Sequence, residues 1–308
     1  MRHPATYSVS ANAINLFIVL CTVLIFSCHS AADAGSKEQE SFASIKDTLI
    51  HGITFVKVPA GAYKKGIDCI TDSVKYDYWI GKYEISNAQF TRFLTDALKK
   101  KFLFSAEQVA YYHYMANPPV PEGDYRVRIS DERIRIDKDS IRTDTTQLDH
   151  PATSVSWFGA RAFCDFYGFD LPTEAEWEKA ARGNTSRWFP WGNTIDSSYA
   201  NYFNSNDPFE PGTTPVGYYN GTVHGSFKTH DARSYYGCYD MAGNAWEWTA
   251  DYWLPQIPYN KGKGGGHLYH SPAFLQIYYT STFGPATAPA LDMCNKSDGF
   301  RVVFHQKK

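Results

Sequence analysis

The sequence predicts an α+β fold that is largely irregular, with a few short strands, three helices and long loops. Apolar and polar residues alternate from Ile53 to Val58, as they do along a half-buried strand. Three stretches between residues 86 and 183 have helical periodicity. The chain from Asn184 onward is rich in Gly, Asn, Asp, Tyr and Trp and shows no pattern of a long helix. Metal ions or dense aromatic packing are therefore expected to hold these loops in place.

The composition is that of a globular protein. The chain has 308 residues, enough for one large domain or two ordinary ones. Hydrophobic residues make up 43% and charged residues 20% of the sequence. The formal net charge of -2 gives no electrostatic reason to expect a nucleic-acid partner. Aromatic residues are frequent, at 16%, and most are expected in the core.

The first 27 residues are predicted to be a lipoprotein signal peptide. A weakly basic start precedes an apolar run from Ile14 to Phe26, which is too short to cross a bilayer comfortably. The run ends in Ile25-Phe26-Ser27-Cys28, which resembles the bacterial lipobox, so Cys28 is the expected lipidation site. Residues 28–48 would form the lipidated tether, and residues 49–308 a domain on the periplasmic or cell-surface side of a bacterial membrane. The alternatives are an ordinary cleaved signal peptide and an uncleaved anchor.

Further strands are predicted from Tyr78 to Ile85 and from Phe300 to Phe304. A helix is expected to begin after the first of these. Ser86 and Gln89 have the spacing of a capping box, in which each side chain bonds the backbone N–H of the other residue. Five apolar residues at helical spacing predict its buried face. They are Phe90, Phe93, Leu94, Ala97 and Leu98.

Residues 99–150 are predicted to form an insertion on the surface. They begin with the basic run Lys99-Lys100-Lys101 and contain a proline-rich turn from Pro118 to Pro121. Alternating residues from Tyr125 to Ile129 and from Arg133 to Asp137 predict a polar hairpin. The alternative is a solvated ribbon without a function.

Two further helices are indicated by their caps. Ser156 can cap a helix that ends at Gly168. Thr173 and Glu176 have capping-box spacing at the start of a second helix, which ends at Gly183.

Four cysteines follow the amino-terminal segment, and export would place them in an oxidising compartment. Their spacings match no zinc motif. One or two disulfides are possible, and the sequence assigns no partners. These cysteines are Cys69, Cys164, Cys238 and Cys294.

Five separated motifs carry a family resemblance. The strongest are Leu171–Glu178 (LPTEAEWE), Asp240–Thr249 (DMAGNAWEWT) and Gly299–Arg301 (GFR). Val58–Gly61 and Tyr83–Phe90 precede them. In order and spacing, these segments resemble the formylglycine-generating enzyme, or sulfatase-modifying factor, family over about residues 50 to 306. The resemblance implies a fold similar to C-type lectins, with loops braced by two calcium ions.

The resemblance also implies which residues would bind calcium, an ion that takes oxygen ligands from carboxylates, amides and main-chain carbonyls. The first set comprises Asn201, the carbonyl of Tyr202, Asp207 and the carbonyl of Phe209. The second set comprises Asp240, the carbonyls of Gly243 and Ala245, and Glu247. The alternative is that Asp240 and Glu247 only cap turns.

Enzymes of this family oxidise a client cysteine to formylglycine with oxygen and a copper(I) ion, which two cysteine thiolates hold. Soft thiolates suit copper(I), but the matching positions here are Tyr269 and Phe274. We therefore predict no catalytic residues, and copper is not an expected cofactor. The resemblance also places Cys164 at one half of a disulfide whose partner position is Val302.

His267 and His270 flank Tyr269 and offer an alternative site, because imidazoles with a carboxylate bind iron or copper. Residues three apart on a strand point to opposite faces, so such a site needs a turn.

Three functions remain open from the sequence. The first is a non-catalytic, lipid-anchored protein that binds a protein partner or acts in envelope assembly, such as gliding or secretion machinery, whose cysteine-free lipoproteins it resembles. The second is an oxidase of the same family with a different metal site. The third is a glycan-binding module that uses exposed Trp and Tyr side chains.

Overall fold

The computed structural model describes residues 47–106, 109–114, 123–129, 133–137, 140–254, 257–268, 271–283 and 294–306. The predicted signal peptide, Cys28, Tyr269 and His270 lie outside these residues. Within them, no helix is both long enough and apolar enough to span a bilayer.

The described residues form short strands and three α-helices. The strands are β1 (Thr48–Ile50), β2 (Ile53–Val58), β3 (Gly61–Lys65), β4 (Ile70–Val74), β5 (Tyr78–Gly81), β6 (Leu103–Ala106), β7 (Val109–Tyr114), β8 (Gly123–Ile129), β9 (Ile134–Asp137), β10 (Ser140–Thr143), β11 (Val223–His224), β12 (Phe227–Lys228), β13 (Trp246–Leu254), β14 (Ile257–Lys263), β15 (Ser281–Phe283), β16 (Asp298–Gly299) and β17 (Val303–Phe304). The helices are α1 (Asn87–Lys99), α2 (Trp157–Tyr167) and α3 (Glu174–Arg182). The mixture of few helices and several small sheets confirms the predicted α+β class.

The first sheet joins the beginning and the end of the domain. Its strand order is β1-β2-β5-β17, and neighbouring strands are antiparallel. Ile80 lies between Val56 on one side and Val303 on the other. The strand predicted from Ile53 to Val58 is confirmed as β2.

The second sheet, β15-β14-β13-β16, lies in the region where the sequence predicts loops. β13 is antiparallel to β14 and parallel to β16, where Trp246 pairs with Asp298. Residues Trp246 to Thr249 of β13 are all buried. The alternation that marks a half-buried strand is therefore absent from this segment.

All three predicted helices are confirmed, with their caps. Ser86 is the N-cap of α1, and its capping box with Gln89 is complete. Ser156 caps α2, and Gly168 ends it with a φ of 76°. The capping box of Thr173 with Glu176 opens α3. The predicted face of α1 packs into the core, with Leu98 at its edge and Phe90, Phe93, Leu94 and Ala97 buried.

Two predicted strands are shorter than expected. The strand from Tyr78 ends at Gly81, because the chain bends at Lys82 and Tyr83. The strand predicted from Phe300 is reduced to β17, and before it the carbonyls of Phe300 and Val302 accept hydrogen bonds from the backbone N–H groups of Ile85 and Gly81.

The predicted pairing within residues 99–150 is wrong. β8 pairs with β7, which pairs with β6, whereas β9 pairs with β10 in a separate hairpin. Val127, Ile134 and Ile136 belong to the core cluster of α1 and α2. These apolar side chains are buried against the helices, so the segment is part of the domain and not a polar ribbon.

The described buried cysteines lie in different parts of the core. Cys164 packs in the cluster of α1 and α2, and Cys238 in the cluster of α3 and the first sheet. Both are thiols. Val302 is buried in the same cluster as Cys164, so apolar packing stands where the resemblance implies a disulfide.

Candidate functional site

Arg301 and Glu247 form a fully buried ion pair. Arg301 Nε donates to Glu247 Oε2 at 2.5 Å, and Arg301 Nη2 donates to Oε1 at 2.6 Å, which is a bidentate arrangement. The indole N–H of Trp177 donates to Glu247 Oε2 at 2.6 Å. The pair therefore joins β13 to α3 and to the last residues of the domain.

Glu84 adds a carboxylate that the sequence analysis did not single out. Its Oε2 accepts a hydrogen bond from Asn244 Nδ2 at 2.7 Å, and its Oε1 accepts one from the backbone N–H of Ala245 at 2.9 Å. Burial raises the pKa of Glu84 well above its usual value, and the carboxylates of Asp240 and Glu247 raise it further. No periodicity or spacing in the sequence indicates this role, because its partners are remote in the chain.

Asp240 begins the second predicted calcium loop. Its Oδ2 accepts a hydrogen bond from the backbone N–H of Gly217. Burial raises the pKa of Asp240 to about 6, although the bond from Gly217 acts in the opposite direction. Three buried carboxylates, those of Glu84, Asp240 and Glu247, are thus gathered around the one guanidinium of Arg301. Without a cation, the raised pKa values of Glu84 and Asp240 reduce the negative charge, and a bound divalent cation would favour the ionised carboxylates.

The first predicted calcium set lies in a loop closed by its own hydrogen bonds. Asp207 Oδ2 accepts from Ser205 Oγ at 2.6 Å, and Asp207 Oδ1 accepts from the backbone N–H of Phe209 at 2.8 Å. The carbonyls of Tyr202 and Phe209 accept from the N–H groups of Ser205 and Gly212. A carbonyl oxygen has two lone pairs, so each retains capacity for a cation.

Asn201 and Asn244 bring the two predicted calcium loops together. The carbonyl of Asn201 accepts from the backbone N–H of Asn244 at 2.8 Å. Gly243 has a φ of 87°, and a Cβ there would lie 2.3 Å from the carbonyl oxygen of Asn201. Only glycine permits both this conformation and this close approach. The ligand sets predicted for the two ions therefore lie on neighbouring loops.

The chemistry of these loops fits calcium better than a transition metal. Across the described stretches, no group of three or more His, Cys, Asp or Glu side chains could hold a metal ion, so main-chain and amide oxygens would have to supply many of the ligands of a cation here. Each predicted calcium set depends on amide and carbonyl oxygens, which calcium accepts and copper(I) does not. Glu247 already accepts three hydrogen bonds, so about one of its four lone-pair sites is left for a cation.

Phe274 stands at one of the two positions where the resemblance expects a copper-binding cysteine. Its ring packs edge-on against Tyr279, with 5.0 Å between ring centroids, and the Tyr279 ring lies 6.0 Å from that of Trp246. Phe274 also packs against a buried cluster that includes Phe189 and Leu275. Hydrocarbon and aromatic groups therefore surround this position.

His267 is a core histidine. Its Nδ1 and its backbone nitrogen both lie 3.0 Å from the carbonyl oxygen of Asn244. Burial lowers the pKa of His267, so the neutral ring is favoured. A redox metal shared with His270 stays a prediction, because His270 lies outside the described residues.

Residues 44–306 match the family described as the sulfatase-modifying factor enzyme 1-like domain. The formylglycine-generating enzyme of Bos taurus is 32% identical over 234 residues, which cover 64% of this chain and 58% of that enzyme. The inactive C-alpha-formylglycine-generating enzyme 2 of Bos taurus is 38% identical over 105 residues, or 34% of each chain. The match thus spans less than two thirds of the length of either relative.

The same fold occurs in a solved structure of low sequence identity. Treponema denticola variable protein 1 superposes with a TM-score of 0.53 at 18% identity, over 84% of this chain and 98% of that one. This similarity concerns the fold and agrees with the irregular architecture that the sequence predicts.

Proposed function

This chain belongs to the sulfatase-modifying factor enzyme 1-like family, and we propose that it is a non-catalytic binding or assembly protein of the bacterial cell envelope. The observation that carries the proposal is the packing of Phe274. A benzyl side chain supplies no ligand to copper, and the described contacts of this ring are with aromatic and aliphatic groups.

The two buried cysteines, Cys164 and Cys238, do not replace the missing pair of copper-binding cysteines. Burial raises the pKa of the Cys164 thiol well above its usual value and that of the Cys238 thiol to about 11. Both groups are therefore protonated at neutral pH, and they lie in separate core clusters. The copper(I) site that the family resemblance implies uses two thiolates side by side, and these two thiols do not form one.

The retained interior supports a binding role for the scaffold. The buried ion pair of Arg301 with Glu247, and the hydrogen bond that joins the two predicted calcium loops, support a rigid scaffold on which a binding surface could be built. One relative is named as inactive, so the fold is compatible with loss of catalysis. The partner we propose is an envelope protein, as in gliding or secretion machinery.

The catalytic part of the proposal is tested by an oxidation assay. The full chain, loaded with copper(I) and supplied with oxygen, is incubated with a cysteine-containing peptide from a sulfatase. We expect no aldehyde in the product, as detected by hydrazide labelling. Aldehyde formation at the rate of an active formylglycine-generating enzyme would overturn the proposal.

Structural calcium is the cofactor we propose. Elemental analysis of the purified chain should give calcium and no stoichiometric copper or iron. Copper or iron bound at one ion per chain would instead favour the alternative oxidase with a different metal site.

Anchoring at Cys28 is tested separately. Cys28→Ser should move the protein from the membrane fraction to the soluble fraction of bacterial cells, and Cys69→Ser should not. Crosslinking before solubilisation should then capture one specific envelope protein with the anchored form. An unchanged membrane fraction for Cys28→Ser would contradict the lipid anchor.

Glycan binding is the second candidate, and a ladder of stacked rings favours it. The ladder starts at Phe189, whose ring stacks on Trp191, and the Trp191 ring stacks on Tyr199. The Tyr199 ring lies 4.3 Å from the exposed His230 ring. Trp188 beside this ladder is 39% exposed, and exposed aromatic faces suit sugar rings. A glycan array without hits would exclude this candidate, and a hit that Trp188→Ala abolishes would establish it.

A further inference from the structure

A small groove lies beside the point where the described chain begins, and none of the predicted calcium ligands lines it. Its volume is about 190 Å³, and His51, Gln89, Arg92, Phe163 and Tyr167 are among its lining residues. Small-molecule pockets usually have roughly 300–1,000 Å³. The groove therefore suits a small polar group and not a whole cofactor.

The β1–β2 turn holds His51 at the edge of this groove in an uncommon conformation. His51 and Gly52 are the central residues of a two-residue hairpin turn, with φ values of 52° and 77°. Such a turn needs positive φ at both positions, which Asn or Gly adopts more easily than His. The imidazole ring lies 5.0 Å from the ring of Tyr167. The backbone thus places a hydrogen-bonding ring on the wall of the groove.

Arg92 supplies positive charge to the groove. Its side chain is 62% exposed, and the carboxylate of Asp96 lies 3.9 Å from Arg92 Nε, beyond hydrogen-bond distance. Lys100 Nζ lies 4.7 Å from the ring of Phe166, which packs on Tyr167. Arg92 is therefore the cation that lines the groove, and Lys100 adds positive charge two ring contacts away, although the chain as a whole has a net charge of -2.

Helix α1 adds a favourable dipole for an anion but no available donor. Its first turn contains no acidic residue. Its first three backbone N–H groups already donate to the carbonyls of His150 and Leu148 and to Ser86 Oγ. Recognition of an anion must therefore come from side chains. The planar guanidinium of Arg92 matches phosphate oxygens in geometry and charge.

We propose that this groove binds the phosphate of an anionic phospholipid headgroup. Arg92 donates to the phosphate oxygens, and the half-buried ring of Tyr167 contacts the adjoining glycerol. The choice of a membrane phosphate rests on the envelope anchoring proposed above. Cys28 precedes Asp47, the first described residue, by 19 residues, which span at most about 65 Å when fully extended. A domain attached at that distance stays close to the headgroups.

Calorimetric titration of the full chain in non-ionic detergent tests this proposal. The probes are dihexanoylphosphatidylglycerol, dihexanoylphosphatidylcholine and inorganic phosphate. The variants are Arg92→Gln, His51→Asn, which keeps a residue that tolerates positive φ, and Arg233→Gln as a control. Arg233 is a suitable control because its side chain is 54% exposed and its replacement changes the net charge equally.

We expect the phosphatidylglycerol probe to bind at least about tenfold more tightly than the phosphatidylcholine probe. Arg92→Gln should weaken that binding about fivefold or more, which is the effect of losing a charge-assisted hydrogen bond. Arg233→Gln should leave it unchanged. Equal binding of both lipids, an equal effect of the two arginine variants, or inorganic phosphate binding as tightly as the lipid would overturn the headgroup assignment.

These probes are soluble and need no anchor. If the lipid probes do not bind, the fractionation of Cys28→Ser still tests the anchor. If Cys28→Ser stays in the membrane fraction, the titration still tests headgroup binding.

Discussion

Arg301 and Glu247 meet through two hydrogen bonds in a part of the domain that solvent does not reach. Arg301→Met removes the guanidinium and leaves the carboxylate of Glu247 buried and uncompensated. We expect the free energy of unfolding to fall by roughly 3–5 kcal/mol, as measured by urea denaturation.

The control for this prediction is Arg233→Met, which removes an exposed arginine and should change stability by less than about 0.5 kcal/mol. Adding Glu247→Gln to Arg301→Met should restore part of the loss, because the unpaired charge is gone. A loss of less than 1 kcal/mol for Arg301→Met alone would contradict the importance of the pair.

A matched pair of glycines tests the contact between the two predicted calcium loops. Gly243 and Gly225 have φ values of 87° and 64°, so alanine is strained at both positions. A Cβ at Gly243 would also lie 2.3 Å from the carbonyl oxygen of Asn201, whereas Gly225 has nothing within 4 Å. We expect Gly225→Ala to cost about 1 kcal/mol and Gly243→Ala at least about 2 kcal/mol more, measured by thermal unfolding. If the two alanine variants lost the same stability, the close contact between Gly243 and Asn201 would contribute little to the fold.

His305 makes the stability of the domain depend on pH. Hydrogen bonds to Asp170 and Glu176 raise the pKa of His305 from 6.5 to about 9. Because the folded pKa is the higher one, the protonated ring stabilises the fold fully below pH 6.5, and this stabilisation is lost as the pH rises to about 9.

His305→Gln should therefore reduce the free energy of unfolding near pH 6 and have little effect near pH 10. The ring is 37% exposed, so after allowance for solvent screening we expect a difference of roughly 1 kcal/mol at the lower pH. If His305→Gln lowered the free energy of unfolding equally near pH 6 and near pH 10, the loss would come from packing and not from the charge of the ring.

Replacing Asp240 tests calcium binding, because the change in stability should have opposite signs with and without calcium. Burial raises the pKa of Asp240 from 3.8 to about 6. Without a cation, the protonated carboxyl therefore stabilises the fold fully below pH 3.8, and this stabilisation is lost as the pH rises through about 6. Asp240→Asn should then stabilise the calcium-free protein at pH 7 by about 1–3 kcal/mol. With calcium bound, the same change removes a ligand and should lower the melting temperature. Stabilisation in both conditions would argue against calcium at this loop.

Local signals in the sequence predict the helices well. Ser86 with Gln89 and Thr173 with Glu176 are capping pairs three residues apart, so the information for each helix start lies within one turn. The apolar face of α1 is likewise defined by its own periodicity.

Non-local features explain what the sequence did not predict. β8 pairs with β7 and not with the nearer β9, and its Val127 is buried against the helices, so its contacts are with residues that a local pattern does not include. β13 lacks alternation because both of its faces are buried at Trp246 to Thr249. In the candidate site, Asp240 and Glu247 are indicated by a family motif, whereas Glu84 reaches Asn244 from a distant part of the chain.

The position of β17 has a consequence for shortened forms of the domain. This strand completes the first sheet through β5, and Arg301, three residues before its end, neutralises Glu247 in the interior. A fragment of the domain that stops before Gly299 lacks both, so the outer edge of β5 is unpaired and the buried carboxylate of Glu247 has no guanidinium beside it. A few residues far along the chain therefore decide whether the earlier strands and helices can hold together.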